Sequence, residues 1–393
     1  MRFSSCTRAI FFMLILKDEL MESKGRIYHF STVLGLLLTC VLVTTSFGSL
    51  KMIDTDAAFP RTSSPRSASS SKTVTGTHIG NATWFSGIGS GTYGGCGVPP
   101  ANLDSKYYVA LNVQNDPGDY STMLSRPIAT KYAKDIGMFN NGLNCGRWVK
   151  VTIGDKCLGT NDGAPNKPFC HGGSWAADQY NGATLNMVVA DSCQDGNAWC
   201  RDDPYHLDLV QRSLNQFVLH SRPVGNMYPN AWNNRHISWQ LISAPNYTGD
   251  IKIAFLRGAN LYWSAISVTH LANGIHGIRY YQNGTWVRAS MDSDMGNDYV
   301  IGPTVTGGSR YQIQVYDSSD KLINKGRIYS FSYPTSCGSS CSAEYLPISY
   351  TKKVSSPKSG AVSLVNLGHE RDGESSLAKL PQSIEMIRFG VYP

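Results

Sequence analysis

From residue 78 to about 220, short apolar runs alternate with long loops rich in Gly, Asn and Asp. Four stretches predict strands: Ala82-Thr83-Trp84-Phe85, YYVALN at 107–112, the longer alternating NCGRWVKVTI at 144–153, and Val188 to Asp191. One helix is expected near Leu209–Phe217. Short strands separated by permissive loops predict a small β-barrel. Residues 221–236 contain two prolines and no periodic pattern, and read as a linker. The segments HISWQLISAP, DIKIAFLRG, YWSAISVTH, HGIRYYQNGTWVRAS, DYVIG and YQIQVYDSSDKLINKGRIYSF then alternate almost throughout, with turns such as Asn283-Gly284 between them. That rhythm predicts a β-sandwich. The chain is therefore read as all-β, with a barrel over 78–220, a linker over 221–236 and a sandwich over 237–332. A cysteine-containing extension and disordered tail follow over 333–393, aromatic-poor after about 344.

One stretch gathers the candidate chemistry. In residues 184–217 a strand delivers Asp191 and Cys193 to its end, a polar loop closes at Cys200, and Tyr205-His206-Leu207-Asp208-Leu209 follows. A local Cys193–Cys200 bridge draws Asp191 and Asp208 together. Two carboxyl groups over a groove perform acid–base work on a glycosidic bond. Asp is equally a turn and capping residue, so the pattern alone leaves both readings open. No Glu occurs between Lys24 and Ala343, so a catalytic carboxylate in the folded part must be Asp.

Charge is placed unevenly. Residues 78–220 carry 10 Lys and Arg against 12 Asp, and residues 237–332 carry 8 against 6. No basic face of the kind that suggests nucleic acid emerges, and the slightly basic second module suits an acidic wall polymer. Lys24-Gly25-Arg26 followed by the apolar run from Val33 to Val43 and small residues near Ser46 to Gly48 forms a secretory signal pattern over 1–48, clearest with a start at Met21. A type II membrane anchor is the alternative. Residues 49–77 are a Ser/Thr-rich linker. Cys6 and Cys40 fall in the removed part, which leaves Cys96, Cys145, Cys157, Cys170, Cys193, Cys200, Cys337 and Cys341 as an even set for disulfides. Chain order points to local Cys193–Cys200 and Cys337–Cys341 bridges, with the other four pairing among themselves. No zinc-type cluster is evident, so neither metal nor cofactor is expected. Sequons at Asn81, Asn246 and Asn283 predict glycosylated surface loops.

The span 78–332 resembles an expansin. Ala82-Thr83-Trp84-Phe85, Asn144-Cys145-Gly146, Val189-Ala190-Asp191-Ser192-Cys193 and His206-Leu207-Asp208-Leu209 resemble the family's barrel motifs. Ile237-Ser238-Trp239 and the segment from Tyr262 to Val268 resemble its second module. The resemblance implies a six-stranded double-psi β-barrel followed by an immunoglobulin-like carbohydrate-binding β-sandwich. It implies an extracellular or cell-wall monomer that binds cellulose, β-glucan or xyloglucan and loosens it without hydrolysis. Related inverting glucanases use two aspartates. Asp208 matches the general acid, whereas the base position falls near Ser86, whose hydroxyl does not accept a proton as a carboxylate does. With the acid present and the base missing, the resemblance argues against an enzyme. A β-1,4-glucanase, a lytic transglycosylase and a non-catalytic matrix protein are the alternatives.

By the same resemblance, Asp191 hydrogen-bonds Thr83 and Asp208 and keeps Asp208 protonated, so that it grips a glycan oxygen. Tyr262 and Trp263 form the sugar-stacking platform, joined by Tyr299 with Tyr281 behind it. Trp239 and Trp286 are expected in the core. Thr83, Trp84, Tyr93 and Trp199 line the barrel groove, although alternation with Thr83 places Trp84 equally well in the core.

Overall fold

A computed structural model of the protein describes residues 76–160, 165–193 and 196–353. The expected signal segment with Met21, nearly all of the linker after it, and the tail beyond 353 lie outside the described residues. Among those described, no helix is long and apolar enough to cross a membrane.

The first body is a closed ring of six strands: β1 (His78–Phe85), β2 (Tyr108–Asn112), β3 (Trp148–Cys157), β5 (Thr184–Cys193), β6 (Leu207–Val210) and β9 (Arg235–Ile242). They pair in the order β3-β9-β1-β6-β2-β5, and β5 returns to β3. β1 with β6 and β2 with β5 are parallel, and the other neighbours are antiparallel. Small edge pairings come from β4 (Trp175–Ala176), β7 (Val218–Leu219) and β8 (Arg222–Pro223). Closure leaves the ring without a free edge. It also corrects the expected boundary at 237, because β9 is the barrel's sixth strand. Alternation is the same in a barrel and a sandwich, so the pattern could not assign this strand. Its burial does: Trp239 is 1 % exposed and packs in the barrel core with Ile237, Val151 and Leu207.

The segment after Asp191 also differs from expectation. The single α-helix among the described residues, α1 (Ala198–Asp202), begins inside the Cys193–Cys200 loop and runs two residues past it, with the Asn197 side chain accepting from Trp199 N–H at its start. His206 to Leu209 enter a strand rather than a helix, and a 3-10 turn follows over Gln211–Gln216.

The second body packs two antiparallel sheets. One contains β10 (Lys252–Leu256), β11 (Ser264–Thr269), β14 (Ser290–Asp292), β15 (Met295–Ile301) and β18 (Tyr345–Pro347). The other contains β12 (Gly277–Gln282), β13 (Thr285–Arg288), β16 (Arg310–Tyr316), β17 (Ile328–Ser332) and β19 (Thr351–Lys353). Ile266, Val268, Ile278, Ile313 and Tyr329 meet between them, as inward residues of facing sheets do. The sandwich therefore extends past 332. The segment expected to be a disordered tail from 344 adds β18 to one sheet and β19 to the other.

All four disulfides close: Cys96–Cys145, Cys157–Cys170, Cys193–Cys200 and Cys337–Cys341. Each holds loops that short strands cannot hold alone.

Barrel and sandwich meet through specific polar contacts. Arg126 pairs with Asp294 at 2.6 Å, and Asn297 N–H donates to the Cys96 carbonyl at 3.2 Å. Lys252 and His270 both reach Asp104. Beside the Cys96–Cys145 bridge, Gly97 lies at φ +85° directly against the Asp298 carboxyl group, where any Cβ would overlap it. Both the backbone conformation and the close approach demand glycine. Gly97→Ala is expected to cost about 2 kcal/mol or more of stability. A lowered Tm with faster proteolysis between barrel and sandwich is the expected result, and an unchanged Tm would contradict this account of the junction.

Candidate functional site

Asp208 stands in β6, beside Thr83 of the parallel strand β1. The register places both side chains on one face, and the Thr83 hydroxyl donates to Asp208 Oδ1 at 3.0 Å. His206 Nε2 lies 2.8 Å from the same hydroxyl. Because a threonine has one proton to give, a charged Asp208 requires Nε2–H of His206 to donate to Thr83. That tautomer leaves His206 Nδ1 bare, and it is buried without a partner. Burial holds His206 neutral by pushing its pKa down to about 3. His206 is thus a fixed neutral donor that aims the threonine. It reaches Asp208 through Thr83 rather than by direct pairing.

Asp208 itself is largely withdrawn from water, and burial raises its pKa to about 6, with the Asp191 charge adding to the effect and the Thr83 hydrogen bond opposing it. Asp191 is held differently. Its Oδ1 accepts from Gly95 N–H at 2.6 Å and Ser192 N–H at 2.9 Å. Burial still raises its pKa, against those two hydrogen bonds and the nearby Arg126 charge. The expected hydrogen bonds from Asp191 to Thr83 and Asp208 are absent among the described residues. Asp191 pins the glycine loop instead, and acts on Asp208 only through space. Both residues flank Ala110 of β2, one from each neighbouring strand. Two strand spacings put their Cα atoms about 10 Å apart. Ser86, just beyond the end of β1, is exposed.

The aromatic residues sort into several groups. Tyr262 is 100 % and Trp263 38 % exposed, in the loop before β11 rather than within a strand. The Asn260 side chain accepts from the backbone N–H of both residues at 2.9 Å, and this turn re-aims two neighbours that a strand would send to opposite faces. Tyr299 is not on the surface: it is 2 % exposed in the sandwich core, between Ile266 of β11 and Met291 of β14, and burial raises its pKa. The alternation around Asp298-Tyr299-Val300 gave no sign of which side faced in. Trp84 turns away from Thr83 and meets Tyr228 edge-on at 4.9 Å, so it supports the barrel and not the groove. Tyr93 belongs to the junction, where its hydroxyl donates to the Glu344 carbonyl at 2.5 Å and accepts from Arg257 N–H. Trp199 lies against Phe169 at 4.5 Å, and Phe169 in turn borders His206. Trp286, expected in the core, is half-exposed and stacks with Arg279.

Arg257 and Glu344 escaped the sequence reading. They pair at 2.8 Å and tie the platform loop to the barrel through Tyr93. No spacing signal links residues so far apart in the chain. Of the sequons, Asn246 and Asn283 are exposed on turns, whereas Asn81 lies within β1 with its amide donating to Asp203 at 2.9 Å, so a glycan there must displace a hydrogen bond of the fold. Among the described residues no group of three or more His, Cys, Asp and Glu is arranged to hold a metal ion.

The Asp208 environment makes stability depend on pH. A carboxyl group titrating near 3.8 when unfolded and at about 6 when folded gives the fold its full benefit below pH 4, and that benefit is lost as pH rises from 4 to 6. Asp208→Asn removes the penalty and is expected to be more stable than the parent above pH 6, by at most about 3 kcal/mol, with little difference at pH 4. Thermal unfolding of both proteins across this range checks it. Parallel curves at all pH values would show that Asp208 does not titrate as described.

No protein-family profile matches the chain, and no curated protein matches it. Among solved structures it is similar to a point mutant of Clavibacter michiganensis expansin in complex with cellohexaose, at 19 % identity and a TM-score of 0.38, over 65 % of this chain and 90 % of that one. It is likewise similar to the apo form of Clavibacter michiganensis expansin, at 18 % identity and a TM-score of 0.37, with the same coverage. The chain's own strand pairing shows the fold, a β-barrel joined to a β-sandwich.

Proposed function

We propose that this chain is an exported expansin-like protein that binds a β-1,4-glucan at the Asp208 groove and the Tyr262–Trp263 platform and loosens contacts between glucan chains without cleaving them. The observation that carries this reading is the asymmetry around Asp208. A carboxyl group with a pKa of about 6, aimed by Thr83 and His206, is poised to donate to a glycan oxygen. The strand end where a general base belongs offers only the Ser86 hydroxyl. Inversion needs a base that activates water on the opposite face of the sugar. With the acid alone, protonation or hydrogen bonding at a glycan oxygen strains packing without completing hydrolysis. The disulfide framework supports an oxidising, extracellular setting.

A second reading, hydrolysis with Asp191 as the base, is favoured by one observation. The two aspartates stand either side of Ala110 with their Cα atoms about 10 Å apart, and an inverting pair needs separated carboxyl groups. Against it, Asp191 Oδ1 is committed to two backbone N–H groups.

Reducing-end release from amorphous cellulose, measured beside cellohexaose binding, separates the two readings. No release is expected from the parent, Asp208→Asn or Asp191→Asn proteins. Tyr262→Ala and Trp263→Ala are each expected to weaken cellohexaose binding about tenfold, as loss of a stacking ring does. Release that vanishes in both aspartate variants would overturn the non-hydrolytic reading.

A further inference from the structure

A cavity of about 870 Å³, lined by none of Asp208, Tyr262 and Trp263, lies on the sheet formed by β12, β13, β16, β17 and β19. Its walls include Tyr281, Arg310, Gln312, Ser330, Ser332 and Thr351. Register explains why these line one trough. Gln312 pairs with Ser330, and Ser330 with Thr351, so amide and hydroxyl groups run across three strands in a row. A second row, Arg288–Arg279–Gln314, crosses β13, β12 and β16 two residues further along and therefore on the same face.

Along the rows runs a ladder of rings and guanidinium groups. Tyr281 meets Trp286 at 5.4 Å, Arg279 lies over Trp286 at 5.1 Å, and Arg288 lies over Tyr316 at 4.7 Å. Charge on this sheet has one sign. Its five strands contain Arg279, Arg288, Arg310, Lys352 and Lys353 and no Asp or Glu, whereas the aspartates of the sandwich stand on turns or on the other sheet. Lys352 pairs with Asp250, but no carboxylate pairs with Arg279, Arg288 or Arg310 among the described residues. Three guanidinium groups without counter-charges, beside flat rings and rows of hydroxyl and amide groups, match a polymer that carries carboxylates on sugar rings. Guanidinium takes a carboxylate in a planar fork, rings take the sugar faces, and Gln and Ser take the hydroxyls.

We infer that this sheet face is a second polysaccharide-binding site, specific for an anionic polyuronide and separate from the neutral-glucan site proposed above. The site places the sandwich between two polymers, a neutral chain at the Tyr262–Trp263 loop and a charged one on this face. It does not depend on whether Asp208 acts on a glycan.

Binding of the full-length protein to polygalacturonate, to the same polymer with its carboxylates methyl-esterified, and to cellohexaose is the test. Polygalacturonate is expected to bind with an affinity that falls as salt rises, and the methyl ester at least tenfold more weakly. Arg279→Gln combined with Arg310→Gln should reduce polygalacturonate binding at least tenfold and leave cellohexaose binding unchanged. Arg310→Gln alone, at an exposed position, should give a smaller loss in the same direction and guards against a folding defect. Tyr262→Ala with Trp263→Ala should show the reverse pattern. Equal binding of the methyl ester, polygalacturonate binding unaffected by the arginine changes, or full displacement by a single-stranded oligonucleotide at equal charge would each overturn the proposal.

Discussion

Closure of the barrel by β9 is the constraint on which the other features depend. The strand lies between β1 and β3, and in doing so it places Trp239 in the core with its indole N–H donating to the Tyr205 carbonyl at 2.9 Å. His78 packs its ring against both Trp239 and Tyr205. That cluster anchors the residue just before His206, and His206 then sets the threonine that bonds Asp208. At the start of the strand, the buried Arg235 guanidinium forks onto Asp178 at 2.6 and 3.1 Å, which satisfies a charge that is costly to bury alone. The strand that completes the hydrogen-bonding ring is thus also the one that positions the candidate acid and leads the chain into the sandwich.

Much of this was legible in the sequence, and the reasons differ by feature. The strands of both bodies follow from alternation, and the two local disulfides from the order of eight cysteines, whereas only the structure pairs Cys96 with Cys145 and Cys157 with Cys170. Asp208 and Thr83 were found as motif members, and parallel pairing of β1 and β6 brings them within a hydrogen bond. What alternation does not encode is which body a strand joins. Trp239 and Tyr299 both lie in alternating segments, and only tertiary packing decides that one fills the barrel and the other the sandwich. Trp286 shows the converse, because a tryptophan on an edge strand stays half-exposed when an arginine stacks on it. The role of Asp191 was misjudged for a local reason. Two backbone N–H groups from its own strand end and a facing glycine loop outcompete a side-chain partner one strand further away.

The two bodies divide the physical work. The barrel supplies one carboxyl group whose burial keeps it near neutrality, together with a neutral relay that orients it. The sandwich supplies exposed rings on a loop braced by Asn260, by the Arg257–Glu344 pair and by the Cys337–Cys341 loop, whose Cys341 backbone exchanges hydrogen bonds with Gly258 and Ala259. The segment from Glu344 to Lys353 therefore serves the platform as well as the sheets.

The central claim is that a protonated Asp208 acts on glucan contacts while no glycosidic bond is broken. Extension of a cellulose-containing wall strip under constant load, recorded from pH 4.5 to pH 8 with reducing ends counted in the bath, tests it most directly. The account predicts extension that is largest at acid pH, declines as pH passes about 6, and is accompanied by no new reducing ends. Extension that is independent of pH, or that rises in step with reducing ends, would contradict it.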